Sequence, residues 1–277
     1  MSEPDHPTNT GAPVYTHGHH ESVLRSHRWR TVENSAGHLL PHLHRGSSIL
    51  DVGCGPGTIT VDLAERVAPG AVIGVDPSVD VIAAARVLAA EASPDARVEF
   101  EVGDVTRLRW GDDSFDVVHA HQVLQHLIDP VAALAEMRRV CRPGGIVAVR
   151  DSDYAAMTWF PAAPALDAWL EMYRTIARSN LAEPDAGRRL RSWAQAAGFA
   201  EVTSSASVWC FATPAERSWW GELWAERVTD SALGHQAVKA GLATARDLAG
   251  MADAWREWAT SEDGWFAVLH GEVICRA

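Results

Sequence analysis

Between residues 50 and 57 the chain reads Leu50-Asp51-Val52-Gly53-Cys54-Gly55-Pro56-Gly57, three alternating glycines set between an apolar run and an amphipathic one. Glycine lets the backbone turn sharply and lets a ligand lie against bare main chain. The helix that follows offers N–H groups with no partner of their own. Such a loop, placed where a first strand hands over to a helix, makes a nucleotide-type pocket at the carboxyl edge of a parallel sheet.

The surrounding periodicity agrees. Ser48–Val52 reads as a strand, Thr58–Val67 as a helix, Ala71–Asp76 as a strand, Ser78–Ala92 as a helix and Val98–Val102 as a strand. Phe115–Ala120, the helix Pro130–Cys141 and the strand Ile146–Asp151 continue the alternation. Strands separated by helices of this length imply βαβ units, hence a parallel sheet covered on both faces. Beyond Asp151 the rhythm loosens. Helices are expected over Ala162–Ser179 and Asp185–Ala197, a strand over Glu201–Phe211, a helical block over Pro214–Ala259, and a final strand over Trp265–Arg276. The expected architecture is α/β: a Rossmann-like, seven-stranded, mostly parallel sheet with helices on both faces and an added helical cap. Residues 1–13 read as a disordered leader, 14–45 as an N-terminal helical cap, 46–154 as the ligand-binding core, and 155–277 as its completion, with a substrate cap at 214–260.

Charge at the glycine loop narrows the ligand. A dinucleotide fingerprint needs G-x-G-x-x-G, and the sixth position counted from Gly53 is Thr58. Asp51 at the strand end would repel a pyrophosphate, so the ligand brings a positive group there, as S-adenosylmethionine does with its ammonium and sulfonium. Asp76 ends the next strand 23 residues after Gly53, the right distance for a carboxylate to take the ribose hydroxyls of an adenosine. One strand further, Gly103-Asp104-Val105 offers a carboxylate to the adenine amine. Each acid alone also reads as a turn or helix-cap residue. An NAD-dependent oxidoreductase is the weaker alternative, lacking the third fingerprint glycine.

With these residues in view, the segment from Leu50 to about Asp151 resembles a class I S-adenosylmethionine-dependent methyltransferase of the ubiquinone/menaquinone-biosynthesis type. Five blocks carry the likeness: Asp51–Gly57, Val75-Asp-Pro77, Gly103-Asp-Val105, Phe115-Asp-Val-Val118 with Val123-Leu-Gln-His126, and Arg142-Pro-Gly-Gly145. The resemblance implies that Gly53, Cys54, Gly55 and Gly57 line the methionine part, with Asp51 near its amino group. It also implies that Asp76 binds the ribose, Pro77 and Val81 flank the adenine, and Asp104 with Gly103 and Val105 meets its edge. His121 and Gln122 would pack beside the sulfonium, and Tyr15 would close over the cofactor.

Methyl transfer from a sulfonium is an in-line displacement, and placing the acceptor behind the methyl group supplies most of the effect. A general base is needed only where the acceptor must lose a proton. His126, Asp151 and Tyr154 are the candidates, all at the sheet edge; packing for His126 and a solvated turn for the other two are the competing readings. His119 reads as a buried, satisfied imidazole. Eight of the thirteen histidines lie before residue 45, yet their spacing gives no metal set, so no metal is expected. Ten of the twelve tryptophans follow Asp151. Trp220 and Trp224 share a helix face, as core packing requires, and aromatic walls also suit a flat acceptor.

Composition sets the outer limits. With 24 Lys+Arg against 36 Asp+Glu the net charge is −12, which disfavours nucleic acid and anionic membranes. The four cysteines form no C-x-x-C pair, no run approaches a transmembrane length, and no signal peptide is evident, so a cytoplasmic setting is expected. The expected activity is O- or C-methylation of an aromatic, quinone or polyketide-like small molecule. A non-methylating relative, either a binding module or a pericyclic catalyst, is the alternative, and a homodimer is left open.

Overall fold

Ile49, Leu50, Asp51 and Val52 are all buried, so the strand that leads into the glycine loop is sheathed on both faces, as the centre of a parallel sheet must be. The computed structural model describes residues 21–92 and 97–277. The expected leader and Tyr15 lie outside the described residues. The elements in chain order are α1 (Glu21–Arg28), α2 (Val32–Ser35), β1 (Ile49–Val52), α3 (Thr58–Val67), β2 (Val72–Asp76), α4 (Val79–Ala92) and β3 (Val98–Val102). Then come β4 (Phe115–His121), α5 (Pro130–Val140), β5 (Cys141–Ser152), β6 (Thr158–Phe160), α6 (Pro164–Ser179) and α7 (Leu190–Ala196). The chain finishes with β7 (Glu201–Phe211), α8 (Pro214–Asp230), α9 (Ala232–Lys239), α10 (Ala245–Thr260) and β8 (Trp265–Arg276).

Strands β3, β2, β1, β4 and β5 pair in parallel in that order. Strand β8 then runs antiparallel to β5 and carries β7 antiparallel on its other edge. This is the Rossmann-like α/β fold with an added helical region. An eighth strand departs from the expected seven: β6, three residues long, pairs the first residues of β8. Strand β5 also starts earlier than its sequence suggests, because Gly144 donates to the Ala277 carbonyl at 2.8 Å and Ala277 to that of Gly145 at 3.1 Å. A Pro-Gly-Gly run that reads as a breaker is thereby held extended.

The helical block expected over Pro214–Ala259 divides into three helices at specific stops. Thr213 and Glu216 form a capping box at the start of α8, and Thr244 and Asp247 one at the start of α10. Ser231 accepts from Leu233 N at the start of α9, and Gly241, at φ +68°, allows the turn between the last two helices. These helices bury Trp169, Trp224, Trp255 and Phe266 in a core of their own. Trp169 sits edge-on to Trp224 at 4.5 Å and to Trp255 at 4.8 Å. The sheet keeps separate cores on its two faces, one around Leu134, Met137 and Val147 and one around Leu39, Leu63 and Val117.

Register puts a row of polar side chains across one sheet face. Asp51 lies beside His119, and further along the strands His121 lies beside Arg150, Arg150 beside Glu272, and Glu272 beside Ser205. No helix among the described residues is long and apolar enough to cross a membrane.

Candidate active site

The carboxyl ends of β1, β2, β3 and β4 open into a cavity of about 680 Å³. The glycine loop forms one wall. Gly53, Gly55 and Gly57 all have positive φ, between +55° and +86°, a region costly for any residue with a Cβ. A Cβ on Gly53 would run into Val123, so that glycine also admits the neighbouring strand end. Cys54 N donates to the Val75 carbonyl at 3.0 Å and Gly55 N to Asp76 Oδ2 at 3.2 Å, which ties the loop to β2.

Asp51, Gly53, Cys54, Gly55, Asp76, Pro77, Val81, Gly103, Asp104, Val105, His121 and Gln122 all lie on the cavity wall, as do His126 and Tyr154. Asp51 is 2% exposed. Its carboxylate accepts from the Thr60 hydroxyl at 2.6 Å and lies 2.7 Å from His119 Nδ1, its register partner. Asp76 Oδ1 accepts from Ser78 N at 3.0 Å, so its carboxylate is held in place by two backbone N–H groups. Asp104 is exposed and accepts from Thr106 N and Oγ1, both at 2.8 Å, so the turn-capping role is present alongside its place on the wall.

Two expected residues are not on the wall. Gly57 packs inward, where a Cβ would meet Phe100 Cζ at 2.7 Å; the glycine is required by helix–strand packing. Asp151 points into the protein and is fully buried, with Oδ1 accepting from Gln125 N at 3.2 Å and Oδ2 without a partner. Burial pushes its carboxyl up to about 7, against the pull of the Gln125 and Leu124 N–H groups. His126 is on the wall, and burial, with the Arg30 charge beside it, pulls its imidazole down to about 3. Tyr154 is 5% exposed and stacks on Tyr173 with ring centroids 4.0 Å apart.

The opposite wall was not legible from motifs. Ser26, His27 and Arg30 reach it from the N-terminal segment, and Trp209, Trp224 and Arg227 from β7 and α8. Arg30 donates to Gln122 Oε1 at 2.6 Å, and Gln122, at φ +54°, passes the contact on to His270 Nε2 at 2.9 Å. Two guanidinium groups lie over the Trp209 ring, Arg150 at 5.0 Å and Arg30 at 5.7 Å from its centre. Beneath it Arg150 Nε donates to Ser207 Oγ at 3.0 Å and to Glu272 at 3.3 Å. Among the described residues no cluster of His, Cys, Asp and Glu is placed to hold a metal.

The comparisons agree with this geometry. A methyltransferase-domain family model matches residues 43–220. An uncharacterised methyltransferase of Schizosaccharomyces pombe is 36% identical, the match covering 99% of this chain and 98% of that one. The [4+2]-cyclase SpnF superposes with a TM-score of 0.50 at 25% identity, covering 90% of this chain and 79% of that one. A demethylmenaquinone methyltransferase of Beutenbergia cavernae is 31% identical over only 58% of this chain and 65% of its own, so the likeness to the quinone-pathway type does not define the whole molecule. The chain belongs to the class I S-adenosylmethionine-dependent methyltransferases. It is an enzyme of small-molecule methylation with S-adenosylmethionine as its cofactor. The wall is compatible with that cofactor: it presents bare glycine backbone and three carboxylates, Asp51, Asp76 and Asp104.

Proposed function

We propose that the enzyme methylates oxygen or carbon of an aromatic, quinone or polyketide-like acceptor. One observation carries the reading: the cavity that holds the glycine loop continues without interruption to a wall of Trp209, Trp220, Trp224, Tyr154 and Met157. Its volume is in the range of small-molecule sites, and its far side offers flat, apolar surface to a ring system. When bound, the cofactor supplies the electrophilic methyl group. The chain's residues orient it through Asp51, Asp76 and the loop amides, and the indole wall excludes water while presenting the acceptor in line.

Calorimetry tests the cofactor half. Binding of S-adenosylmethionine and its demethylated product, with no binding of NAD, is expected. Asp76→Ala should weaken S-adenosylmethionine about 10–100-fold, the loss of a charge-assisted hydrogen-bonding group. Full affinity in that variant would remove the ribose assignment. Mass spectrometry of aromatic and polyketide acceptors then reads the added methyl group. A product rearranged without gain of methyl would favour the pericyclic alternative, the activity for which SpnF is named.

A further inference from the structure

We propose that the acceptor presents an anionic oxygen, a carboxylate or phenolate, to Arg30 and His121, so that it arrives already ionised. The inference rests on the reading above that the aromatic end of the cavity takes the acceptor. Three observations carry it.

The cavity is polarised. Its acidic wall residues, Asp51, Asp76 and Asp104, all belong to the cofactor loops. Among the described residues, none that line it from the N-terminal segment, β7 or α8 is acidic, whereas Arg30 and Arg227 are both there. A chain of net charge −12 that places two guanidinium groups on one cavity wall has built a local anion field against its global one.

Arg30 and His121 also share neighbours. Arg30 donates to the side chain of Gln122, the residue after His121, and both Arg30 and His121 lie against the Trp209 ring, at 5.7 Å and 5.5 Å. Finally, His121 is 4% exposed and lies on the wall, yet both of its ring nitrogens are buried and neither has a hydrogen-bond partner among the described residues. A buried imidazole in that condition costs free energy until a ligand completes it. Burial and the Arg30 and Arg150 charges hold His121 neutral, so one ring N–H remains to donate to the anion beside the guanidinium.

The step then balances without a base. A lone pair of the anionic oxygen forms the O–CH3 bond, the S–CH3 bond breaks with its pair going to sulfur, and the acceptor leaves as a neutral ester or ether. No proton has to be removed. That suits a site where Asp151 is off the wall and the imidazoles of His121 and His126 are both held far below their ordinary basicity.

The test is calorimetry on the full chain saturated with S-adenosylhomocysteine. The anionic probes are 1-naphthoate and 4-nitrophenolate, and 1-naphthamide and 4-nitroanisole are their neutral counterparts. At least one anion should bind about 10-fold or more tightly than its neutral counterpart, and which one does so separates carboxylate from phenolate acceptors. Arg30→Gln should remove that preference while leaving S-adenosylhomocysteine affinity intact, and Arg30→Lys should restore part of it. Equal binding of charged and neutral probes, absence of anion binding, or a preference that survives Arg30→Gln would overturn the proposal. If Arg30→Gln does not fold, the wild-type comparison and His121→Phe, expected to lower anion affinity, decide it. Failure of S-adenosylhomocysteine to bind would instead strike the underlying cofactor reading.

Discussion

The two ends of the cavity solve recognition in opposite ways. The end proposed to hold the cofactor is built from residues 51–105, with carboxylates at three successive strand ends and a loop that presents bare main chain to the cavity. The end proposed for the acceptor draws on residues near 30, 121, 154, 209, 224 and 268, and its wall is indole, imidazole and guanidinium. A fixed ligand of known charge can be met by a short run of sequence, because strand order alone brings those residues to one edge. An acceptor wall needs surfaces contributed by distant segments, and there the contacts between them set the shape.

Acid should expose this contrast most strongly. His38, His121, His126 and His270 are all held neutral by burial, His38 down to about 4 and His126 to about 3. Their unfolded values lie near 6.5, so the unfolded chain takes up these protons first and stability is lost as pH falls from about 6.5. Asp151 acts oppositely, since its raised carboxyl holds a proton in the folded state between about 4 and 7. Near pH 5 the four histidines outweigh Asp151, so stability falls as pH drops through this range. Denaturant titrations at stepped pH read the slope, and a flat profile from pH 6.5 to 5 would show that these imidazoles are not excluded from water. Of the four, His121 and His126 lie on the cavity wall, away from the glycine loop and its acidic partners, so their share of the loss tracks that wall.

Trp224→Ala separates the two ends by a different route. Its ring is 1% exposed and packed on Trp169 and Trp255. Truncation should cost about 3–5 kcal/mol in denaturant unfolding. Cofactor affinity should stay within about 3-fold of wild type, because the helical core that holds that ring includes, among the described residues, none from the glycine loop. A parallel drop in cofactor affinity would mean that the ends are coupled.

Gly53→Ala is the mirror experiment. Positive φ and the nearby Val123 side chain leave no room for a Cβ. Cofactor affinity should fall about 100-fold, or about 2.7 kcal/mol, with a smaller change in unfolding free energy. An affinity within about 3-fold of wild type would show that the loop does not meet the ligand through its backbone.

Legibility followed the same division. The glycine loop, Asp51, Asp76 and Asp104 could be read because spacing along one sheet edge decides their meeting. Gly57 shared the motif but serves Phe100, a partner that only packing reveals. Asp151 could be placed at a strand end but not on a side of the wall, since one residue of register decides whether a side chain faces the cavity or the interior. Strand β6 is three residues long and exists because β8 offers it an edge. Arg30 sits in a polar stretch with no motif, and its meaning comes from Trp209, almost 180 residues away in the chain.

Gln122 has a consequence of its own. Its left-handed backbone is tethered by its N–H to the Arg150 carbonyl at 2.7 Å, while its amide joins Arg30 near one terminus to His270 near the other. The residue is thus a seam: upstream lie the strand ends that carry the three carboxylates, and around it hangs a wall drawn from distant parts of the chain. Whatever shifts Gln122 is therefore felt by both halves of the cavity at once.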